Sequence, residues 1–572
     1  MKKKVAFSIF GAALLWFAVM AMIPAEGSDA AKAMNAEFQK FLQVYEAKVI
    51  PLSRQAALAS FQANISGKDE DFNEYSRLQI ELRKIHADAA TFQKLKGWQA
   101  SGWICDPLLQ RQLTVLYNAF LGNQVSPADL EELVRQQTAI EQKFNTFRAR
   151  VNNQTLSDND VEEILRSSTD SAALEAAWKA SKEIGPRVGP DIIKLAHLRN
   201  RVARSLGFAD YHQMQLKLNE QDPEAIEKLF DDLDTLTRDA FRDLKGDIDS
   251  FLAKREGINP TELRPWHFQN RFFQEAPKIY TVDLDIYYAN KDLVALTRSY
   301  YSGIGLDIDD LVARSDLFEK PGKYQHAFSS DIDREGDVRV LCSVKPNQAW
   351  MDTLLHEYGH SVYAKFNDRS LPWTLRDAAH AFTTEAVANM FGRLAASPLW
   401  LHDMVGISTE EMQKIAGPSR DSLRLEQMVF SRWAQVMYRF EKSFYADPDQ
   451  DLNARWWELV EKYQLVRKPE GRNEPDWASK IHIASYPAYY HNYLLGQLLA
   501  SQLHYYIASK VLNAAESFAQ SFVGKKEVGE YLIRAIFHPG MRYEWNEMIE
   551  RATGEKLTPK YYARQFLGEI GQ

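Results

Sequence analysis

The sequence predicts a mainly α fold, and three observations carry that expectation. Apolar residues recur three and four apart through long stretches such as Leu130–Val151 and Pro223–Leu252, the period of a helix face. Alternating runs that would mark strands are few. The third is the segment Met351–Tyr363, where the apolar residues Leu354, Leu355, Val362 and Tyr363 flank a polar core of the kind a buried helix carries.

Hydrophobic residues make up 45% of the chain and include 13 Trp, 25 Tyr and 30 Phe, enough to bury a large core without covalent staples. Only two cysteines occur, Cys105 and Cys342, too few for a disulfide framework. The net charge of −8 is spread among interspersed acids and bases, so no basic stripe points to nucleic acid. No linker, repeat or low-complexity tract divides the chain, so 26–572 is expected to form one unit and to act as a monomer.

Taken in order, the first element is a leader. Lys2-Lys3-Lys4 precedes an apolar run from Val5 to Ile23, a charged and then hydrophobic pattern that predicts export to the periplasm or medium, with cleavage near Ala25. The run is long enough to tether the protein to a membrane if it is retained. No cysteine stands near it to accept a lipid. Asn64-Ile-Ser and Asn153-Gln-Thr fit the glycosylation pattern, which matters only on a eukaryotic route, whereas the short basic leader looks bacterial. Further on, Asp222-Pro223 suits a helix cap and first helical position. Tyr324-Gln-His326-Ala327-Phe-Ser-Ser and Val338-Arg-Val-Leu-Cys342 read as two short strands around the polar turn 331–337. Such an edge can hold an extended peptide by backbone pairing.

The most informative stretch is His356-Glu-Tyr-Gly-His360. On a helix, positions four apart share a face, so both imidazoles can hold one zinc ion while Glu357 leans toward a water that the metal activates. A zinc hydrolase needs a third protein ligand. A histidine six residues on from His360 is excluded, because Phe366 stands there and Tyr363 replaces the glycine that such a continuation needs. Glu385, amid the apolar residues Phe382, Ala386, Met390 and Phe391, is the best remaining ligand, although acids at such spacing are often solvated instead. Downstream, Asp476–Tyr493 contains a lysine, two histidines and four tyrosines. A phenol or imidazole can stabilise the oxyanion that forms when an amide is attacked. On composition alone the stretch equally suits the aromatic start of a core helix.

Together, His356-Glu-Tyr-Gly-His360, Ser370-Leu-Pro-Trp-Thr-Leu-Arg376 and Thr384-Glu-Ala-Val-Ala-Asn389 resemble the zinc region of the angiotensin-converting enzyme family of peptidases. Lys480-Ile-His482-Ile, followed by Pro487, Tyr490 and Tyr493, resembles that family's second catalytic segment. The resemblance runs from about Ala57 to Glu555, nearly the whole mature chain. It implies a two-lobed helical metallopeptidase with a deep central cleft, a small β-sheet at the active site and an N-terminal helical lid. It implies zinc on His356, His360 and Glu385, with Glu357 as general base and His482 and Tyr493 facing the oxyanion. Lys480 and Tyr490 would grip a substrate's C-terminal carboxylate, and His326-Ala327 would line the site beside the scissile bond. The implied activity is release of C-terminal dipeptides from oligopeptides. A more distant likeness to oligoendopeptidases would imply internal cuts, and a peptide-binding homologue without turnover is the alternative from another class.

Departures from the family pattern are informative. The interval from His482 to Tyr493 is one residue longer than the family's, which brings Tyr486 and Tyr489 into competition for the tyrosine roles. Asn492 stands where the family often carries a chloride-binding arginine, so no chloride activation is expected from that position. Asn389 replaces an acid that supports a metal-binding imidazole, which lowers metal affinity or moves that role elsewhere. Gln325 replaces one cysteine of the family's disulfide, so that bridge is absent. Gln269 aligns loosely with a glutamine of the carboxylate clamp. His267, His380, His491, His504 and His538 are expected to be structural, because lone histidines usually are.

Overall fold

The computed structural model describes residues 29–568 other than 281, 516 and 517, so the leader lies outside the described residues. Helices dominate, and the strands among the described residues form two antiparallel two-stranded ribbons. Among these residues no helix is long and apolar enough to cross a membrane.

The predicted helices form for the reasons their sequences give. The helix Pro223–Glu256 starts where Asp222 accepts from the backbone N–H groups of Glu224 and Ala225, with Pro223 in the first turn. Its buried stripe includes Ile226, Phe230, Leu233, Phe241 and Leu252. The helix expected over Leu130–Val151 is shorter than its apolar pattern suggests. It spans Pro127–Thr146, and the chain then turns through β1 (Ala149–Val151) and β2 (Gln154–Leu156). The reason is Asn152-Asn153: both adopt left-handed backbone, φ 49° and 64°, which makes a tight hairpin and ends any helical continuation.

Two large apolar cores organise the molecule. One gathers the helix that carries the histidines (Gln348–Lys365), the helix that carries Glu385 (Ala381–Gly392) and much of the helix His491–Tyr506. The other is built around the long helix Thr409–Ala446 and includes Trp433, Phe440, Trp477, Ile483 and Tyr490. A smaller core, with Phe38, Leu95, Trp98 and Phe120, holds the N-terminal helices together, and Phe61 of the first helix (Asp29–Ser66) packs on Ile332 and Leu341 of the second ribbon. That ribbon pairs β3 (Phe328–Asp331) with β4 (Val338–Leu341), in the order the sequence suggests, with Phe328 opposite Leu341.

Close helix approach sets the position of the site. A Cβ on Gly359 would lie 2.7 Å from the Cα of Ala388, so only glycine lets the His356–His360 helix press against the Glu385 helix. On the other side, a Cβ on Gly496 would stand 3.0 Å from the Cβ of Glu385. The Glu385 helix is thus held between two glycine contacts.

Candidate metal centre and peptide site

His356, His360 and Glu385 converge, their ligand atoms all within 4.8 Å of one another. The two imidazole Nε2 atoms are 3.1 Å apart, and they stand 3.6 and 3.8 Å from the two Glu385 oxygens. A tetrahedral zinc ion with bonds of about 2.0–2.2 Å would set its ligand atoms about 3.3–3.6 Å apart, so the donor set fits such an ion. Burial pushes the His356 imidazole down to about 4 and holds His360 well below its usual range, which keeps both neutral and able to ligate. His360 Nδ1 meets Thr384 Oγ1 at 2.8 Å, and in the tautomer that leaves Nε2 to ligate a metal the Nδ1–H is the donor. The orienting role that Asn389 cannot fill with a charge therefore has a holder beside the ligand glutamate.

Glu357 is buried at 8% exposure. Burial, reinforced by the neighbouring Glu385 carboxylate, pushes its carboxyl up to about 8, while a Ser329 backbone N–H pulls the other way. Burial likewise raises Glu385 to about 7. A cation between these groups would offset that cost. Ser329 Oγ meets Ser361 Oγ at 2.8 Å and Ser361 Oγ donates to the Glu357 carbonyl, so β3 is tied directly to the histidine helix. His326 and Ala327 precede that strand, which starts only at Phe328, and His326 is exposed with its ring 5.2 Å from Tyr324.

Cys105 and Cys342 are both free thiols, with Gln325 standing where the family's bridge has its other cysteine. The buried Lys323 ammonium ties this corner instead. It donates to Asp316 Oδ1 at 2.8 Å, to the Phe318 carbonyl at 2.7 Å and to the Cys342 carbonyl at the end of β4.

The second segment rests on the other core. Lys480 is 7% exposed and its Nζ donates to Gln274 Oε1 at 2.6 Å. The rings of Phe272, Trp433 and Tyr490 surround the ammonium at 5.3, 5.4 and 5.5 Å. Burial, with Arg271 adding to it, lowers this lysine to about 8. Gln269 is elsewhere: it adopts left-handed backbone, and its side chain accepts from the Lys278 N–H at 3.0 Å. The glutamine beside the lysine is thus Gln274. Only the Phe-Phe-Gln context marks it in the sequence, and its partner stands 206 positions away.

The aromatic residues order themselves around His482. Its ring lies 5.2 Å from Tyr490, Tyr490 lies 5.2 Å from Tyr493, and Glu385 raises the Tyr493 phenol further than burial alone does. Tyr489 also feels Glu385 and stands edge-on to Tyr493 at 5.4 Å. Tyr486 is 59% exposed. Tyr490 therefore shares the lysine's surroundings, while the Glu385 carboxylate is near enough to raise the phenols of both Tyr489 and Tyr493. Asn492 is buried, and its Oδ1 accepts from Gln221 Nε2 at 2.7 Å, while Gln221 Oε1 meets His491 Nε2 at 2.8 Å. This network is neutral and self-satisfied.

Three further histidines have structural surroundings, while His538 is exposed. His267 Nδ1 accepts from the Arg264 N–H and its Nε2 meets Ser171 Oγ. His380 caps the Glu385 helix by accepting from the Phe382 N–H at 3.1 Å, and His504 is buried against Phe522. Arg376 donates to the Leu371 carbonyl and pairs with Glu335, which fastens the Leu-Pro turn rather than reaching the triad.

Comparison with known proteins extends this likeness beyond the site. The sequence profile described as angiotensin-converting enzyme matches residues 32–243 and 280–562. The angiotensin-converting enzyme of Theromyzon tessulatum is 22% identical over 602 residues, covering 96% of this chain and 93% of that protein. The enzyme of Oryctolagus cuniculus is 23% identical over 476 residues, covering 74% of this chain but 35% of that protein, so the chain spans about a third of this mammalian relative. A Caenorhabditis elegans relative, 20% identical over 586 residues and covering 91% of this chain and 61% of that protein, is called an inactive angiotensin-converting enzyme-related protein.

Proposed function

The chain belongs to the angiotensin-converting enzyme family of peptidases, and from that premise we propose that it is an exported zinc peptidase that releases dipeptides from the C-terminus of oligopeptides. The observation that carries the reading is the convergence of two neutral imidazoles and Glu385 beside a buried carboxyl, Glu357. Held by His356, His360 and Glu385, a zinc ion would supply Lewis acidity, lowering the pKa of water and polarising a carbonyl. Glu357 takes the proton from the attacking water and passes it to the leaving amine. Its apolar surroundings favour the protonated form after the first transfer, which suits the second. His482 and Tyr493 donate hydrogen bonds to the oxygen on which negative charge develops. His326 and Ala327 align the peptide along the edge of β3, the strand tied to the base-bearing helix.

Dipeptide release depends on the clamp. The Lys480 ammonium and the Tyr490 hydroxyl offer donors to a free carboxylate. Gln274 accepts from Lys480 with its carbonyl, and its amide, which reaches Glu275 Oε1 at 3.5 Å, has a second N–H to offer. A carboxylate fixed there sets the distance from the C-terminus to the scissile bond. The N-terminal helices would act as a lid that admits peptides and excludes folded proteins, and the basic and apolar leader supports export.

The inactive relative gives weight to a peptide-binding reading, against which stand the intact His356, Glu357, His360 and Glu385 in this chain. Mass spectrometry of products from an unbiased peptide mixture separates these, with zinc-loaded protein beside a chelated control. C-terminal dipeptides formed only with metal are expected. Internal cuts would replace this reading with an oligoendopeptidase, and no cleavage under any metal would leave a binding protein.

A further inference from the structure

The interval from His482 to Tyr493, one residue longer than the family's, contains one residue in left-handed backbone. Ala488 adopts φ +53°, in the left-handed region that alanine occupies only where its surroundings hold it. Its N–H donates to Glu441 Oε1 at 2.8 Å. Glu441 lies on the long helix Thr409–Ala446 and is 2% exposed, and it forms no ion pair among the described residues. Burial pushes the Glu441 carboxyl up to about 8, and a buried arginine holds the same stretch from the helix Ile184–Ser205: Arg199 donates to the Ala484 carbonyl at 2.6 Å and reaches the Ile483 carbonyl at 3.5 Å. Glu441 and Arg199 thus grip the two ends of 483–488, the stretch that links His482 to Tyr490 and Tyr493. Neither is among the ligand triad. Burying a charged group is costly, and an apolar side chain of similar volume would pack this core more cheaply. What a carboxylate adds here is one directional acceptor for one backbone N–H.

We propose that Glu441 is a positioning residue: by holding Ala488 in left-handed backbone it absorbs the inserted residue and sets the register that turns Tyr490 and Tyr493 toward the site. The proposal rests on the reading of Tyr493 as the oxyanion donor. A misplacement of about 1 Å in such a donor can lower kcat about 100-fold, which is the loss expected for Glu441→Leu. Glu441→Gln keeps an oxygen acceptor for the Ala488 N–H and should retain the wild-type rate. Ala488→Val places a β-branched residue where φ is positive and should reproduce the loss, while Ala488→Gly should not. This second pair carries the test if Glu441→Leu fails to fold.

The decisive readout is a double-mutant cycle with Tyr493→Phe, measured as dipeptide release by the full-length zinc-loaded protein. Because Glu441 acts through the tyrosine, Tyr493→Phe should add little to the loss already caused by Glu441→Leu or Ala488→Val. Losses that multiply, or wild-type rates in Glu441→Leu and Ala488→Val beside a slow Tyr493→Phe, would overturn the proposal and leave the catalytic reading intact. A wild-type rate for Tyr493→Phe alone would instead remove the premise, and the proposal would fall with it.

Discussion

The candidate ligand triad and the proposed carboxylate clamp are built in opposite ways. His356, His360 and Glu385 come from two consecutive helices that touch through Gly359, and all three belong to one short sequence region. The clamp joins Lys480 to Gln274 across 206 positions, and it stands on the core around the long helix Thr409–Ala446. The first is a local device whose spacing defines a chemistry. The second exists only after the chain has packed, and on the proposed reading it selects which peptides that chemistry meets. The tyrosine helix spans both, with Leu494 and Leu498 in one core and Tyr493 packed against the other.

Breaking the triad side should have the largest effect. Glu357→Gln is expected to lower kcat about 1,000-fold, the scale of lost general acid–base catalysis, while the zinc content by elemental analysis stays that of the wild type. An equal fall in bound zinc would mean that Glu357 acts on the metal site rather than on the proton. Thr384→Val removes the acceptor of the His360 Nδ1–H and should weaken zinc binding about 10- to 100-fold in chelator competition, the usual cost of such a supporting partner.

The clamp side should respond in KM. Gln274→Leu is expected to raise KM for a free-acid peptide about tenfold, as loss of a hydrogen bond to a charged group does, and to leave the C-terminal amide unaffected. Lys480 adds a pH dependence. Its ammonium is the binding form and burial lowers it to about 8, so the preference for free acid over amide should fall as pH rises through 8. A constant ratio across that range would exclude the lysine from carboxylate binding. The smallest effect concerns Asn492, whose neutral network with Gln221 and His491 offers no charge to a halide. Chloride at fixed ionic strength should leave kcat/KM unchanged.

The same contrast governs how much was legible in the sequence. The triad could be read because a helix converts a spacing of four into a shared face, and because few residue types ligate zinc. The cap at Asp222 and the hairpin around 331–337 were legible for the same local reason. The end of the helix after Pro127 was not, because its apolar period runs on while the asparagine pair turns the backbone. Gln269 was the weaker choice over Gln274, since nothing in the local sequence reports which glutamine will face a lysine 206 positions on. Thr384 escaped notice because Asn389 occupied the position where support for an imidazole was sought. The longer tyrosine interval is visible in the sequence, but the left-handed backbone at Ala488 and its bond to Glu441 on another helix are not.

The central claim is that a metal-bearing half and a carboxylate-binding half act on one peptide. It is tested most directly by kcat/KM for one peptide as free acid and as C-terminal amide, in the wild type, Lys480→Met and Glu357→Gln. The account predicts a preference of about 100-fold for the free acid in the wild type, on the scale of a lost buried charge pair. Lys480→Met should bring that ratio close to one, and Glu357→Gln should slow both substrates alike. Equal rates for acid and amide in the wild type would contradict it.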